Sequence, residues 1–330
     1  MVTNTIIFTY LNFYNLKTST NRRYSSSIGT CNKNKLDPHF ITGFTDAEGS
    51  FIVIVRKEAR NKTGWRVEAR FSIGLHKRDA VLLKLIKDSL GGVGDIAPQG
   101  KDGVQYRVSS IKDIIDVIIP HFDKYPLITQ KWGDFELFKR IVYMIDRKEH
   151  VTSEGLQKIV NLKTSLNLGI KDELKAHFPN TVPVSRPLVV EPEIKDPYWL
   201  SGFVSGEGCF YVGISKSSSC TLGYSVQLKF QMDQHLRDSG LMKKIINYLG
   251  CGKFYKVSGT DKGKIIVAGL KENINIIIPF FKKYPLFGVK VEDFKDFCKV
   301  SELMEKGIHL SDLEQIREIK CTMNKGRFRS

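Results

Sequence analysis

Two glutamates, Glu48 and Glu207, stand in a setting that suggests chemistry. The segment "FTDAEG" at 44–49 places Glu48 at the end of a predicted helix, just before a glycine, and "FVSGEG" at 203–208 does the same for Glu207. A carboxylate at the negative end of a helix is disfavoured by roughly 0.3–1 kcal/mol. A single such residue is usually a solvated helix end. Its duplication together with its flanks indicates a function.

The chain repeats itself with an offset of 159 residues. "LDPHFITGFTDAEGSFIV" at 36–53 returns as "KDPYWLSGFVSGEGCFYV" at 195–212, and "IIPHFDKYPL" at 118–127 returns as "IIPFFKKYPL" at 277–286. This constant register predicts one structural unit used twice, with pseudo-twofold symmetry. We assign residues 37–178 to the first unit, 179–195 to a proline-rich linker and 196–330 to the second unit.

Each unit predicts an α+β arrangement of helix, hairpin, helix, hairpin and further helices. Asp37 and Asp196 are suited to cap a helix whose first residue is a proline. After each motif glycine, apolar and polar residues alternate with the period of a strand. One face of each sheet should therefore be apolar and covered by helices, and the other polar and basic.

Small residues recur four apart in both motif helices, as Gly43 and Ala47, and as Gly202 and Gly206. Such stripes allow close backbone approach, so we expect the two helices to form the interface between the units. Glu48 and Glu207 would then face one point, where they repel one another, and the motifs carry no positive charge beside them. A divalent cation resolves this conflict.

Oxygen ligands without neighbouring His or Cys favour a hard ion, so we expect Mg²⁺, with Mn²⁺ or Ca²⁺ able to take its place. Asp46 is Ser205 in the second copy, so a role performed twice falls on the glutamates and not on Asp46.

The charge balance indicates a polyanionic partner. Lysine and arginine outnumber acids by 51 to 35, giving a formal charge of +16. Nucleic acid is the leading candidate and a membrane surface the second. The six cysteines lack zinc-site spacing, and no apolar run is long enough to span a bilayer. We expect no integral membrane placement.

Residues 1–36 contain no acidic residue and five basic ones, a composition typical of a mitochondrial transit segment. A disordered basic arm, or sequence left from an upstream reading frame, fits the same composition.

"ITGFTDAEG" at 41–49 and "LSGFVSGEG" at 200–208 resemble the two signature motifs of the LAGLIDADG homing endonucleases, and the resemblance covers roughly residues 36–326. The similarity is greatest to the single-chain, double-motif enzymes of fungal mitochondrial introns. It implies two αββαββα units joined through the motif helices, with antiparallel sheets forming a saddle on double-stranded DNA. It also implies a monomer located in mitochondria.

The resemblance assigns Glu48 and Glu207 as the catalytic, metal-binding pair, with the backbone carbonyls of Ala47 and Gly206 as supporting ligands. Family members also use basic groups near the scissile phosphates. Lys131 and Lys290, repeated in "YPLITQK" and "YPLFGVK", are our candidates for that role. Solvated lysines at the start of a helix are the alternative.

Outward residues of the predicted sheets are candidates for contact with DNA, since Arg, Lys and Gln can read base edges in the major groove. In the first unit they are Ser50, Ile52, Ile54, Arg56, Arg66, Glu68, Arg70, Ser72, Gln105, Arg107 and Ser109. In the second unit they are Cys209, Tyr211, Ser215, Ser225, Gln227, Lys229, Gln231, Lys253, Lys256 and Lys264.

The duplicated acids and the basic charge predict a DNA endonuclease that hydrolyses both strands with metal assistance. The resemblance further implies a site-specific enzyme that leaves short 3′ overhangs and promotes intron mobility. The alternative is a maturase that binds its own intron RNA through the same basic surfaces. A DNA-binding regulator on a decayed nuclease fold is disfavoured, because both acids are present.

Overall fold

The structure is a computed structural model that describes residues 35–221, 223–307 and 310–328. The transit segment predicted at 1–36 therefore lies almost wholly outside the described residues. No helix within these ranges is long and apolar enough to cross a bilayer.

The first half contains α1 Pro38–Glu48, β1 Gly49–Lys57, β2 Trp65–His76, α2 Ala80–Ser89, β3 Asp95–Gln99, β4 Gly103–Val108, α3 Ile111–Asp113, α4 Ile119–Lys124, α5 Lys131–Asp146, α6 Ser153–Thr164 and α7 Asp172–His177. The second half contains α8 Pro197–Glu207, β5 Gly208–Lys216, β6 Tyr224–His235, α9 Ser239–Leu249, β7 Lys253–Lys256, β8 Lys262–Val267, α10 Leu270–Glu272, α11 Ile278–Lys283, α12 Lys290–Glu305 and α13 Leu310–Cys321. Short 3₁₀ turns lie at Lys77–Asp79, Glu149–Val151, Leu236–Asp238 and Asn324–Phe328, and π-helical turns at Ile114–Ile118 and Asn273–Ile277.

Each half forms a four-stranded antiparallel sheet, in the order β1-β2-β4-β3 or β5-β6-β8-β7. The alternation in the sequence places Phe51 and Phe210 on the covered face, and both are fully buried. Each lies at the centre of an aromatic cluster formed by its sheet and helices, with ring centroids 5.1–5.9 Å away. Burial of such a ring stabilises the fold by roughly 1.5–3 kcal/mol. The predicted α+β fold is confirmed.

Both motif helices begin and end where the sequence predicts. Asp37 Oδ1 accepts a hydrogen bond from His39 N at 2.8 Å, and Asp196 Oδ1 accepts one from Tyr198 N at 2.8 Å. These caps satisfy free N–H groups at the start of α1 and α8. Each helix ends at its glutamate, and the next residue opens the first strand of the sheet.

The helices α1 and α8 pack backbone to backbone, as the small-residue stripes predict. A Cβ on Gly43 would lie 1.9 Å from the carbonyl oxygen of Trp199, and one on Gly202 would lie 2.1 Å from that of Phe40. No side chain fits at either position. Because the two units share this interface, the ends of both helices come to the same place.

The proline-rich linker docks on the first unit. Arg186 donates to Asp134 Oδ2 and to the carbonyl of Gln130, both at 2.7 Å. The amide side chain of Gln130 in turn bonds to the backbone N–H and carbonyl of Val189. At the equivalent place in the second unit, Arg327 pairs with Asp293. The linker is therefore a fixed part of the structure.

Candidate active site and DNA-facing surface

Glu48 and Glu207 come together at the end of the helix interface. A Cβ on Gly206 would lie 3.1 Å from Glu48 Cγ and 3.4 Å from Glu48 Oε1, so the Glu48 side chain lies across the residue that precedes Glu207. Both side chains are partly buried. The carboxylates therefore share one site, although each belongs to a different half of the chain.

The acidity of the two glutamates reflects this placement. Burial, followed by the charge of Glu48, raises the pKa of Glu207 to about 7. Burial also raises the pKa of Glu48. Lys131 and Lys290 oppose both shifts by favouring the charged forms. The tertiary structure thus brings positive charge to motifs whose own sequence has none, and the expectation of an uncompensated acid pair is corrected on this point.

Both repeated lysines reach the ends of the motif helices. Lys131 Nζ donates to the carbonyls of Thr45 at 2.8 Å and Ala47 at 3.2 Å. Lys290 Nζ donates to the carbonyl of Gly208. Burial lowers the pKa of Lys131, while Asp46, Glu48 and Glu207 act to raise it. These lysines are therefore held by the site and are not solvated helix-start residues.

The residues of the site fit a hard divalent cation. The ammonium of Lys131 is itself a cation on the Ala47 carbonyl, which shows that this oxygen is open to positive charge. Among the described residues no group of three or more His, Cys, Asp or Glu side chains is placed to hold a metal. The two glutamates would thus be supplemented by backbone carbonyls, water and phosphate oxygens, as hard ions accept.

Asp46 has a structural role. It is 2% exposed, and its carboxylate accepts hydrogen bonds from Thr129 Oγ1 at 2.5 Å, Trp199 Nε1 at 2.8 Å and the backbone N–H of Ile128 at 3.1 Å. Burial raises its pKa to about 6 despite these donors. In the second half Ser205 Oγ takes the same place and accepts from Phe287 N at 3.2 Å. Both residues hold the loop that leads into a lysine-bearing helix.

A cavity of about 670 Å³ extends from Glu48 along the open face of the first sheet. Its lining includes Gly206 and Lys290 from the second half, and Gln99 and Gln105 from β3 and β4. Gln99 is absent from the sequence-based set of DNA-facing residues. The cavity joins the acidic site to side chains that can read bases.

The open face of the first sheet carries the predicted residues in cross-strand pairs. The pairs are Ser50 with Ser72, Ile52 with Arg70, Ile54 with Glu68, Arg56 with Arg66, and Ser72 with Arg107. Glu68 lies 3.0 Å from Arg56 and 2.7 Å from Arg66, so it fixes two arginines. Arg70 Nε donates to Ser109 Oγ at 3.2 Å. Ser72 lies on this face and lines the cavity, although only 2% of the residue is exposed, so its contact with DNA stays a prediction.

The open face of the second sheet follows the same register. Its pairs are Cys209 with Gln231, Tyr211 with Lys229, Gly213 with Gln227, Ser215 with Ser225, Tyr255 with Lys264, and Lys253 with Ile266. Tyr255, 48% exposed, and Ile266 belong to this face but are absent from the sequence-based set.

The placement of Lys256 on the open face is wrong. Lys256 pairs with Gly263, and a Cβ on Gly263 would point at the Phe254 ring and Met242 Sδ on the helix-covered side. Directly paired residues of antiparallel strands project to the same side, so Lys256 lies on that side, at the sheet edge. In the short strand "KFYK" at 253–256, Phe254 is the one residue whose apolar side chain indicates which face is covered. Burial alternates along β8, and the pairing of β7 with β8 therefore assigns each residue of β7 to a face.

Comparison with known proteins gives matches over both halves. The pattern of the LAGLIDADG endonuclease family matches residues 41–142 and again 200–301. The I-SmaMI LAGLIDADG homing endonuclease bound to cleaved DNA is similar at 44% identity and a TM-score of 0.87, over 89% of this chain and 99% of that one. The I-LtrWI LAGLIDADG homing endonuclease bound to target DNA is similar at 39% identity and a TM-score of 0.84, over 88% and 98%.

Among curated proteins, probable intron-encoded endonuclease 3 of Neurospora crassa is 42% identical over 295 residues, which are 89% of this chain and 55% of that protein. Probable intron-encoded endonuclease 2 of the same fungus is 37% identical over 87% of this chain and 65% of that protein. The chain thus spans between half and two thirds of the length of these relatives. Since the family pattern covers both halves and the fold matches almost all of two solved members, the chain belongs to the LAGLIDADG endonuclease family.

Proposed function

We propose that this chain is a site-specific homing endonuclease that hydrolyses both strands of double-stranded DNA. The observation that carries the proposal is the meeting of Glu48 and Glu207 at the end of the α1–α8 interface, beside the open face of a sheet rich in basic and polar groups. Each glutamate would serve one strand. The DNA-bound state of I-SmaMI and I-LtrWI supports the same partner here.

A hard divalent cation, Mg²⁺ in the cell, would be held by Glu48, Glu207 and the carbonyls of Ala47 and Gly206. When bound, such an ion supplies an activated water and offsets charge on the scissile phosphate. I-SmaMI has been solved with uncleaved DNA in the presence of calcium ions, which supports a divalent ion without identifying Mg²⁺. The raised pKa of Glu207 means that the free site favours a proton, which a bound ion would displace.

Lys131 and Lys290 would stabilise the phosphate as negative charge builds up during hydrolysis. Their ammonium groups are held at the helix ends by backbone carbonyls, so they need little reorganisation to donate to an oxyanion. I-SmaMI has been solved with one or both of two lysines replaced by alanine. Those lysines are separated in that chain by the same number of residues as Lys131 and Lys290 are here.

The two open faces would read a long DNA site. The longest strand of each sheet has 12 residues, or about 40 Å, which is close to one turn of duplex. Two sheets in tandem would cover about two turns. Rim lysines would add salt-dependent affinity without sequence information. Cleavage between the half-sites would leave short 3′ overhangs.

Selection of cleaved sequences from a randomised duplex library tests the activity and yields the target in one experiment. On that target Glu48→Gln and Glu207→Gln should each lose at least roughly 10²-fold in cleavage rate while still binding DNA. The exposed-surface variant Glu302→Gln is the matched control. Normal cleavage of both strands in Mg²⁺ by either motif variant would refute the proposal.

Intron mobility and a mitochondrial location are part of the proposal. They are supported by relatives named as intron-encoded in Neurospora crassa and as the product of an ND4 intron in Podospora anserina. A cross between alleles with and without the intron should convert the empty allele, and Glu48→Gln should abolish conversion. The maturase alternative has no observation in its favour among the described residues or these relatives' names.

A further inference from the structure

The two helices that carry Lys131 and Lys290 start after residues whose own side chains provide no cap, although Thr129 Oγ1 accepts a hydrogen bond from the Lys131 N–H at 3.2 Å. Gln130 and Val289 occupy the position before the first helical residue, and neither side chain accepts a hydrogen bond from its helix. Free N–H groups at a helix start need acceptors when they are partly buried. Valine cannot provide one.

The acceptor comes from the opposite half of the molecule. Gln130 N in the first half donates to Asp238 Oδ1 of the second half at 2.7 Å. Val289 N in the second half donates to Asp79 Oδ1 of the first half at 2.8 Å. Asp79 and Asp238 are equivalent positions of the repeat, so the exchange is reciprocal. We call these two bonds the cross-caps.

Each aspartate lies at the end of a short turn in its own half, and that turn is capped locally. The 3₁₀ turns Lys77–Asp79 and Leu236–Asp238 begin with a histidine cap, where His76 Nδ1 accepts from Arg78 N at 3.3 Å and His235 Nδ1 accepts from Arg237 N at 3.1 Å. Asp238 is 4% exposed. The carboxylates are therefore presented from rigid turns.

The approach on the second half also depends on a glycine. Gly288 has a φ of +74°, and a Cβ there would lie 2.7 Å from Asp79 Oδ1. Both the backbone conformation and the room for the carboxylate require glycine. The loop before Lys290 is thus shaped around the aspartate of the other half.

The cross-caps act on the residue next to each lysine. Asp238 holds the N–H of the residue preceding Lys131, whose ammonium bonds to Thr45 and Ala47 carbonyls beside Glu48. Asp79 does the same before Lys290, whose ammonium bonds to the Gly208 carbonyl beside Glu207. A shift of about 1 Å in a group that contacts the reacting phosphate can cost on the order of 10²-fold in rate.

We propose that Asp238 and Asp79 are positioning residues that act in trans, each setting the lysine of the opposite half and so coupling the two strand-cleaving centres. This inference depends on the proposed endonuclease function. Residues that only stabilised the interface between the halves would, when replaced, slow both centres equally. A positioning residue would instead, when replaced, slow cleavage of one DNA strand more than the other.

The test is single-turnover cleavage of the selected target by the full chain, with the two DNA strands labelled separately. Lys131→Met and Lys290→Met first identify the strand that each lysine serves. Asp238→Ala should then slow the Lys131 strand roughly tenfold and the other strand less than about twofold, and Asp79→Ala should show the mirror pattern. Asp238→Asn, which retains an oxygen acceptor, should recover most of the lost rate.

Asp123→Ala, which removes a surface ion pair with Lys139, is the control and should leave the cleavage rate of each strand at its wild-type value. If an alanine variant does not fold, Asp238→Glu keeps the charge but displaces the carboxylate, and a smaller bias toward the same strand is expected. Equal slowing of both strands, bias toward the opposite strand, or lysine variants without strand preference would overturn the proposal. A wild-type chain that cleaves no DNA would instead refute the endonuclease function itself.

Discussion

Glu207 gives the metal-free protein a pH dependence opposite to that of a salt-bridged carboxylate. Its pKa rises from about 4.5 to about 7 on folding, because burial and the charge of Glu48 disfavour the ionised form. Between these values the folded state binds more protons than the unfolded state, so stability falls as pH rises. With 1.36 kcal/mol for each pKa unit, the loss from pH 5 to pH 8 is about 2.5 kcal/mol.

The assay is thermal or urea unfolding in EDTA, at pH 5 and pH 8, of the wild type and of Glu207→Gln. Glutamine cannot ionise, so the variant lacks this loss. Between pH 5 and pH 8 its free energy of unfolding should rise relative to that of the wild type by about 2.5 kcal/mol, or roughly 3–5 °C in Tm. Other titrating groups, such as Asp46 and His121, are present in both proteins and largely cancel. Glu302→Gln should follow the wild type. Parallel pH profiles for the wild type and Glu207→Gln would show that Glu207 does not lie in the buried, repelled position described here.

Three further predictions concern the interface, the lysines and the open face. Gly43→Ala should lower the free energy of unfolding by about 3 kcal/mol, because the new methyl group would meet a backbone oxygen of the facing helix. The control Gly240→Ala, in open space on α9, should raise the free energy of unfolding by up to about 1 kcal/mol. Lys131→Met should lower the single-turnover cleavage rate by roughly 10²-fold with an unchanged Kd for the target, and equal losses in rate and binding would argue against a role in hydrolysis. Arg70→Ala should reduce the preference for one base of the DNA target by about 1–3 kcal/mol in a binding-site selection. Lys256→Ala, on the helix-covered side, should leave the base preference unchanged at every position.

The repeat made much of the fold predictable. Asp37 and Asp196 cap their helices as the sequence predicts, because a cap is a contact within three residues of the chain. The buried faces of the long strands were likewise predictable from alternation around Phe51 and Phe210. Local geometry and burial leave clear patterns in a sequence.

Short strands and long-range contacts were less predictable. Lys256 was misplaced because β7 has four residues and its faces are set by pairing with β8. Ser72 follows the outward pattern and lines the cavity, but the pattern could not show that only 2% of the residue is exposed. Asp79 and Asp238 are visible in the sequence as a repeated residue, but nothing in the sequence says that each reaches into the opposite half.

The sequence by itself determined that one unit is used twice, and it predicted that the repeated chemistry falls on Glu48 and Glu207 and not on Asp46. Comparison of the two copies was sufficient, since a function performed twice must fall on residues present twice. Only the tertiary structure decided what surrounds the acids: the lysine ammonium groups at the helix ends, the buried partners of Asp46 and the cross-caps between halves. These contacts join residues far apart in the chain, and their geometry is set by the close packing of α1 on α8, which glycines permit but do not specify.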